Sequence, residues 1–228
     1  MGKYLIFLII FASALYFGLS IKFSNFECRG NNGSCSREVA DILTSALPLK
    51  ITEVKNSLRE SIGNSPMVES YSYQFNLPNT LEVYVIEKKP SFVVFDTSTS
   101  HYHLIDKKGD YIMKTEESDF DFPMINVSSF STPLGDFVGN NIFFALKVIQ
   151  KVGLISKMKQ ANVDNWSLQI DLEEGIKATF PLEGDIDYLG GAFFLIISQL
   201  NKDNNEFRID NKRVSEIDFR FRNPVIKS

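Results

Sequence analysis

The sequence predicts an α+β protein with an N-terminal transmembrane helix followed by two soluble domains. Three observations lead to this prediction. Residues 4–21 form an uncharged apolar run. Residues 22–90 show strand and helix patterns in the order β-α-α-β-β. Residues 91–228 carry mostly strand patterns with two amphipathic helical stretches, which predicts a mostly antiparallel β domain with two helices.

Composition limits the classes of function. A chain of 228 residues accommodates about one or two domains, and a hydrophobic share of 44% is enough for substantial cores. The net charge is −4, and lysine and arginine are scattered along the chain without a basic stripe. Nucleic acid is therefore not an expected partner.

The apolar run from Tyr4 to Ile21 lies between Lys3 and Lys22. At 1.5 Å per residue it spans about 27 Å, close to the roughly 30 Å of a bilayer core. A signal peptide cleaved at the motif Ala12–Ala14 is the alternative. Because the run continues beyond that motif, we expect an uncleaved anchor that contacts membrane lipid. The preceding residues 1–3 would be a short cytoplasmic N-terminus.

The first soluble domain is predicted at residues 22–90. Ser34 or Ser36 can cap the first helix and Thr52 the second. The last strand has a buried face made of Leu81 and its alternate neighbours. The five predicted elements are a strand at 23–29, helices ending near 47 and 63, and strands at 67–75 and 78–90.

The second soluble domain is predicted at residues 91–228. A hairpin turn is expected at 106–109 and another at 173–175. Its predicted elements are extended segments at 91–95 and 122–125, strands at 102–105, 110–113, 166–172 and 176–182, helices at 140–152 and 186–200, a strong strand at 214–221, and a short edge strand at 225–227.

The two cysteines, Cys28 and Cys35, flank a glycine-containing loop. In an oxidising compartment they could form a disulfide, whereas two free thiols are the alternative. A zinc site is not expected, because there is no further cysteine and only two histidines.

No residue pattern indicates catalysis. His101 and His103 would share one face of a strand, but without an obvious third metal ligand they are expected to be surface residues near a loop. The acidic pairs 116–117 and 173–174 lie in polar, turn-like surroundings. No nucleophile elbow, phosphate loop or dinucleotide fingerprint occurs. We therefore predict no catalytic, cofactor-binding or metal-binding residues and no enzymatic activity.

Several short motifs fall in the order found in one protein family. They are Ser65-Pro66-Met67-Val68, then Pro78, Leu81, Val83, Val85, Glu87, Lys88 and Pro90, then Tyr102, Leu104, Asp106 and Gly109, then Phe122-Pro123-Met124-Ile125, and finally Ile217-Asp218-Phe219-Arg220. In this order and spacing the chain resembles the FtsQ/DivIB bacterial cell-division family. A glycine usual after the fourth motif is absent, since Asn126 and Val127 stand there.

The resemblance implies a fold and a function. Residues 22–90 would form a POTRA domain and residues 91–228 a β domain in the periplasm, anchored in the inner membrane at the division septum. The protein would be a non-enzymatic divisome scaffold that links early and late division proteins and helps control septal peptidoglycan synthesis. Its partners would be FtsB/FtsL-like bitopic coiled-coil proteins, bound by β-strand addition, and other divisome components.

The resemblance also implies a partner-binding surface near the C-terminus. Its residues would be Arg220, Phe221, Asn223, Val225, Ile226 and Lys227. Phe221 is either an exposed aromatic anchor or a core residue on the face of Phe219. A weaker second candidate is the first domain near Lys88 and Lys89. The alternative function is an exported POTRA-type binding or assembly-chaperone module.

Overall fold

The computed structural model describes residues 4, 22–31, 33–76, 78–202, 208–209 and 212–228. The protein is α+β and divides into two compact units, residues 1–88 and 89–228. Apart from Tyr4, the predicted transmembrane segment lies outside the described residues. None of the helices within the described ranges is both long enough and apolar enough to cross a bilayer.

In the first unit, the described residues from 22 onwards form a mixed four-stranded sheet, a separate strand pair and two helices. Its elements are β1 Lys22–Phe23, β2 Asn25–Gly30, β3 Gly33–Ser34, α1 Arg37–Ser45, β4 Leu49–Lys50, α2 Val54–Ser61, β5 Val68–Asn76 and β6 Thr80–Glu87. The sheet order is β3-β2-β6-β5, with β2 and β6 parallel and the other pairs antiparallel. β1 and β4 form a separate antiparallel pair. The last strand of the unit is therefore at the centre of its sheet.

Both helices of the first unit cover the same face of the sheet. The predicted alternation of β6 is confirmed, because Leu81, Val83 and Val85 are buried. They form one core with helix residues that recur at helical spacing. These helix residues are Val39 and Leu43 from α1 and Val54 and Leu58 from α2.

The helix caps are only partly as predicted. Ser36 caps α1, since its Oγ accepts a hydrogen bond from Val39 N at 3.4 Å. The prediction that Thr52 caps α2 is wrong, because the cap residue is Glu53. Its backbone N–H donates to Lys50 O at 2.8 Å, and this turn delays the helix by one residue.

The second unit is built on a mixed nine-stranded sheet. Its elements are β7 Pro90–Asp96, β8 His101–Asp106, β9 Tyr111–Thr115, β10 Met124–Val127, α3 Asn140–Gly153, β11 Met158–Val163, β12 Leu168–Leu172, β13 Lys177–Phe180, α4 Ile186–Lys202, β14 Arg208–Ile209, β15 Lys212–Arg213, β16 Glu216–Asp218 and β17 Val225–Lys227. The order is β17-β16-β13-β12-β11-β10-β7-β8-β9, while β14 and β15 pair separately.

Parallel pairs join β7 to β10, β10 to β11 and β13 to β16, and the remaining pairs in this sheet are antiparallel. α3 and α4 bury residues such as Leu146, Ile149, Phe193 and Ile197 in one core with the sheet. The other face of β11, β12, β13 and β16 is polar. That face and the two sheet edges are therefore the surfaces of the sheet that the helices leave uncovered.

Candidate partner-binding edge

The strand β17 lies at one end of the nine-stranded sheet and has β16 as its only neighbour among the described strands. Its residues pair with β16 in antiparallel register: Val225 lies opposite Asp218, Ile226 opposite Ile217 and Lys227 opposite Glu216. Val225 is 42% exposed and Ile226 36%. An apolar edge strand of this kind presents unpaired backbone on one side to a further strand.

The turn that leads from β16 to β17 is held by side chains. Asp218 accepts a hydrogen bond from Arg220 N at 3.0 Å, and the Arg220 guanidinium donates to both of its carboxylate oxygens. Further along the turn, Tyr188 of α4 donates to the carbonyl of Arg222 at 3.1 Å. These bonds fix the path of the chain between the two strands, and therefore the position of the edge.

The Asp218–Arg220 pair has shifted titration properties. The hydrogen bonds from Arg220 lower the pKa of Asp218, although burial of the carboxylate opposes the shift. The same contact raises the pKa of Arg220. Both groups therefore stay charged over the physiological range, and the turn retains its ion pair.

The predicted strand at 214–221 is wrong in length, because β16 ends at Asp218. Phe219 continues into the core, where it is 3% exposed and stacks on Phe180 with ring centroids 4.6 Å apart. The alternation stops in the turn, and Phe221 is 57% exposed. Phe221 is therefore a surface residue, and the alternative that placed it in the core is wrong.

The six residues that the resemblance assigned to partner binding all lie in the turn and in β17. They are Arg220, Phe221, Asn223, Val225, Ile226 and Lys227, and every one is exposed. By contrast, Lys88 and Lys89 follow β6, the central strand of the first sheet. The second candidate is therefore not at a sheet edge of the first unit.

A row of charged side chains runs across the polar face to this edge. In the strand registers Asp171 lies opposite Lys177, Lys177 opposite Glu216, and Glu216 opposite Lys227. We call these four residues the charge row. Lys227 Nζ lies 3.0 Å from Glu216 Oε2, and Lys177 Nζ lies 4.0 Å from Asp171 Oδ1. The row could not be predicted from the sequence, because its alternating signs become apparent only when the strand registers are known.

A second polar cluster lies on the helix-covered side of β7 and β8. The prediction of a surface position is wrong for His103, which is 6% exposed, because its side of β8 faces the core. Its Nδ1 lies 2.8 Å from Tyr111 Oη, and its ring packs on Phe130. Burial lowers the pKa of His103. His101 points to the same face and lies near Glu116, with 3.7 Å between Nε2 and Oε1.

Asp96 ends β7 in the same region and is also buried. Its carboxylate accepts hydrogen bonds from Ser98 N, Ser98 Oγ and Thr99 Oγ1 at 2.8–2.9 Å. Burial alone would raise the pKa of Asp96, but these hydrogen bonds outweigh it and lower the pKa to about 2. Asp96 thus stabilises the turn after β7, and a backbone hydrogen bond from Phe130 also contributes to its lowered pKa. The described residues contain no group of three or more metal-ligating side chains.

The first unit holds the two remaining features of chemical interest. Cys28 and Cys35 are joined by a disulfide, with Cα atoms 5.6 Å apart. It connects β2 to the segment before α1.

The other feature is Glu82, which is buried although it lies on the face opposite the helices. It accepts hydrogen bonds from Tyr84, Gln74 and Asn76 and pairs with Arg29 at 2.7 Å. The bonds from Tyr84 and Gln74 lower its pKa. Because its partners come from β2, β5 and β6, Glu82 ties three strands together.

No protein-family model matches this chain, and no curated protein is significantly similar to it in sequence.

Proposed function

We propose that this protein is a non-enzymatic, membrane-anchored cell-division scaffold of the kind the FtsQ/DivIB resemblance implies. It binds small bitopic coiled-coil partners by accepting a strand of the partner at β17. Residues 4–21 provide the anchor, and both units lie on the outer side of the inner membrane.

The observation that carries the proposal is the edge itself. β17 ends a nine-stranded sheet, with exposed Val225 and Ile226 along it and exposed Phe221 in the preceding turn. Strand addition obtains its affinity from main-chain hydrogen bonds and its selectivity from side chains near the edge. Aromatic side chains, phenylalanine among them, are enriched at protein interfaces, so the exposed Phe221 suits the role of an anchor.

The topology of the first unit supports the POTRA part of the proposal. Two helices pack on one face of a sheet in which β2, β6 and β5 are neighbours in that order, and β2 runs parallel to β6. The chain order β2-α1-α2-β5-β6 is the β-α-α-β-β order of a POTRA domain. The hairpin of β2 and β3, closed by the disulfide, is an addition to that pattern.

A co-purification experiment tests the proposal. The full-length protein is expressed in a dividing bacterium with tagged FtsB- and FtsL-like proteins from the same genome. The wild type is compared with a chain truncated after Phe221, which lacks β17, and with Phe221→Ala. Trp166→Ala is the matched control, because Trp166 is 83% exposed and lies in the turn between β11 and β12.

We expect loss of the partners on truncation, weaker capture with Phe221→Ala, and wild-type capture with Trp166→Ala. Retained capture by the truncated chain would contradict binding at β17. If the wild type captured neither partner and were distributed evenly around the envelope, the exported binding or chaperone module would become the better account.

A further inference from the structure

The charge row has alternating signs across four strands and ends at the free edge. From β12 outwards the side chains are Asp171, Lys177, Glu216 and Lys227. Lys177 and Glu216 each have an oppositely charged residue on both sides. Asp171 has Lys177 on one side and the polar Gln160 on the other, and Gln160 Nε2 donates a hydrogen bond to Asp171 Oδ2 at 2.9 Å. Among the residues that the structure describes, Lys227 has an oppositely charged neighbour only on the β16 side, and its side chain is 56% exposed.

A strand that adds to β17 would place one side chain directly opposite Lys227 on the same face. Oppositely charged cross-strand pairs are favourable, and like charges opposite each other are unfavourable. The position opposite Lys227 in the added strand therefore favours a carboxylate and disfavours lysine or arginine. Glu216 does not remove this preference, because a lysine between two carboxylates is the arrangement that Lys177 already has in this sheet.

We infer that the partner strand carries an acidic residue opposite Lys227, next to two apolar residues opposite Ile226 and Val225. The apolar preference follows from the exposed side chains of these two residues. This inference rests on the proposed function, because it specifies the partner for which β17 is the docking strand. The charge row then selects the partner and also fixes its register, since a slip by one residue would move the acid to the other face.

The test attaches a strand to the full-length protein, so that the register is known. An Asn-Gly turn is added after Ser228, followed by Thr-Glu-Val-Val-Thr in one protein and Thr-Lys-Val-Val-Thr in the other. A two-residue turn of this type closes a hairpin and places the second residue of the added strand opposite Lys227. The main chain of Lys227 faces β16, where its carbonyl accepts a hydrogen bond from Ser215 N, so the amide of the next residue, Ile226, faces the open edge. Amide hydrogen exchange of Ile226 and of the added residues therefore measures how well the added strand pairs.

We expect about two- to tenfold stronger protection with the glutamate strand than with the lysine strand. The difference should shrink at high salt, since the pair is exposed. Lys227→Gln should abolish it, and Lys227→Glu should reverse it. These two variants control for general effects of charge on the added strand.

The outcomes separate the two claims. Equal protection by both strands would overturn the inference about charge while leaving β17 as a docking edge. Absence of protection by either strand, with the second unit still folded, would overturn β17 as an acceptor of strands and with it the proposed function.

Discussion

Asp218 and Arg220 form a bidentate ion pair across the turn that separates the last two strands of the large sheet. Arg220 Nη2 lies 2.6 Å from Asp218 Oδ2, and Nε lies 2.9 Å from Oδ1. The carboxylate is almost fully buried, whereas the guanidinium is partly exposed. The pair thus holds the turn together and covers a buried charge.

The first prediction concerns this pair. Arg220→Ala should destabilise the second unit by about 1–3 kcal/mol, because Asp218 would lose its charged partner. Arg220→Lys should recover only part of the loss, since an ammonium cannot make the two-point contact. Urea denaturation followed by far-UV circular dichroism measures the change. Unaltered stability of Arg220→Ala would show that the ion pair does not hold the turn.

The second prediction uses the contrast between Phe219 and Phe221. Phe219→Ala should cost about 3–5 kcal/mol, because it opens a cavity beside Phe180. Phe221→Ala should change the free energy of unfolding by no more than about 0.5 kcal/mol, because its ring is exposed. The same denaturation assay compares the two variants. A large loss with Phe221→Ala would mean that its effect on partner capture cannot be assigned to the interface.

This contrast shows how far the sequence could predict the edge. The short edge strand expected at 225–227 is confirmed, whereas the sequence left Phe221 open between the surface and the core. The strand length was wrong because alternation of apolar residues continues to Phe221, while the Asp218 side chain competes with the sheet for Arg220 N and ends the strand. The hydrogen bond between Arg220 N and the Asp218 carboxylate cannot be predicted from the pattern of apolar residues.

Other elements were missed for different reasons. β11 has few apolar residues, and only Ala161 is fully buried in it, so it lacks a period-2 signal. The burial of His103 was not predicted, because it involves a contact with Phe130, which is distant in the sequence. Long apolar stretches such as β6 and α3 were predicted well, since their pattern is local and strong.

The third prediction concerns the disulfide. Replacing Cys28 and Cys35 by serine should destabilise the first unit by about 2 kcal/mol, because the unfolded chain gains freedom when a short loop is opened. Hydrogen exchange of the β2 and β6 amides measures the effect. A reducing agent should reproduce it in the wild type and have no effect on the double variant. Two reactive thiols in the non-reduced, unfolded wild type would contradict the bond.

The fourth prediction is a pH dependence from Asp96. Its pKa in the folded protein, about 2, is below its usual value. The resulting stabilisation is complete above about pH 4 and is lost as the pH falls towards 2. Asp96→Asn should lower the stability at neutral pH and weaken the dependence in this range. An unchanged acid dependence in Asp96→Asn would assign it to other carboxylates.

The fifth prediction is that His103 titrates below the usual histidine range. Burial disfavours its charged form, so the unfolded chain binds a proton that the folded chain does not. The second unit should therefore lose stability as the pH falls below about 6.5. NMR titration of the two histidines measures both pKa values, and His101→Gln assigns the signals. A His103 signal that titrates at or above the usual value would contradict the prediction.

The central position of β6 has a consequence for how the first unit is made. Asn25 at the start of β2 lies opposite Thr80, so the two halves of this parallel pair are far apart in the chain. β6 lies between β2 and β5 in the sheet but follows both of them in the chain. During synthesis, neither β2 nor β5 can therefore form its pair with β6 until β6 has been made. Such long-range pairing slows folding. Helices as short as α1 and α2 are marginal in isolation, so they too depend on the sheet for their stability. The first unit therefore acquires its fold only when its last strand arrives.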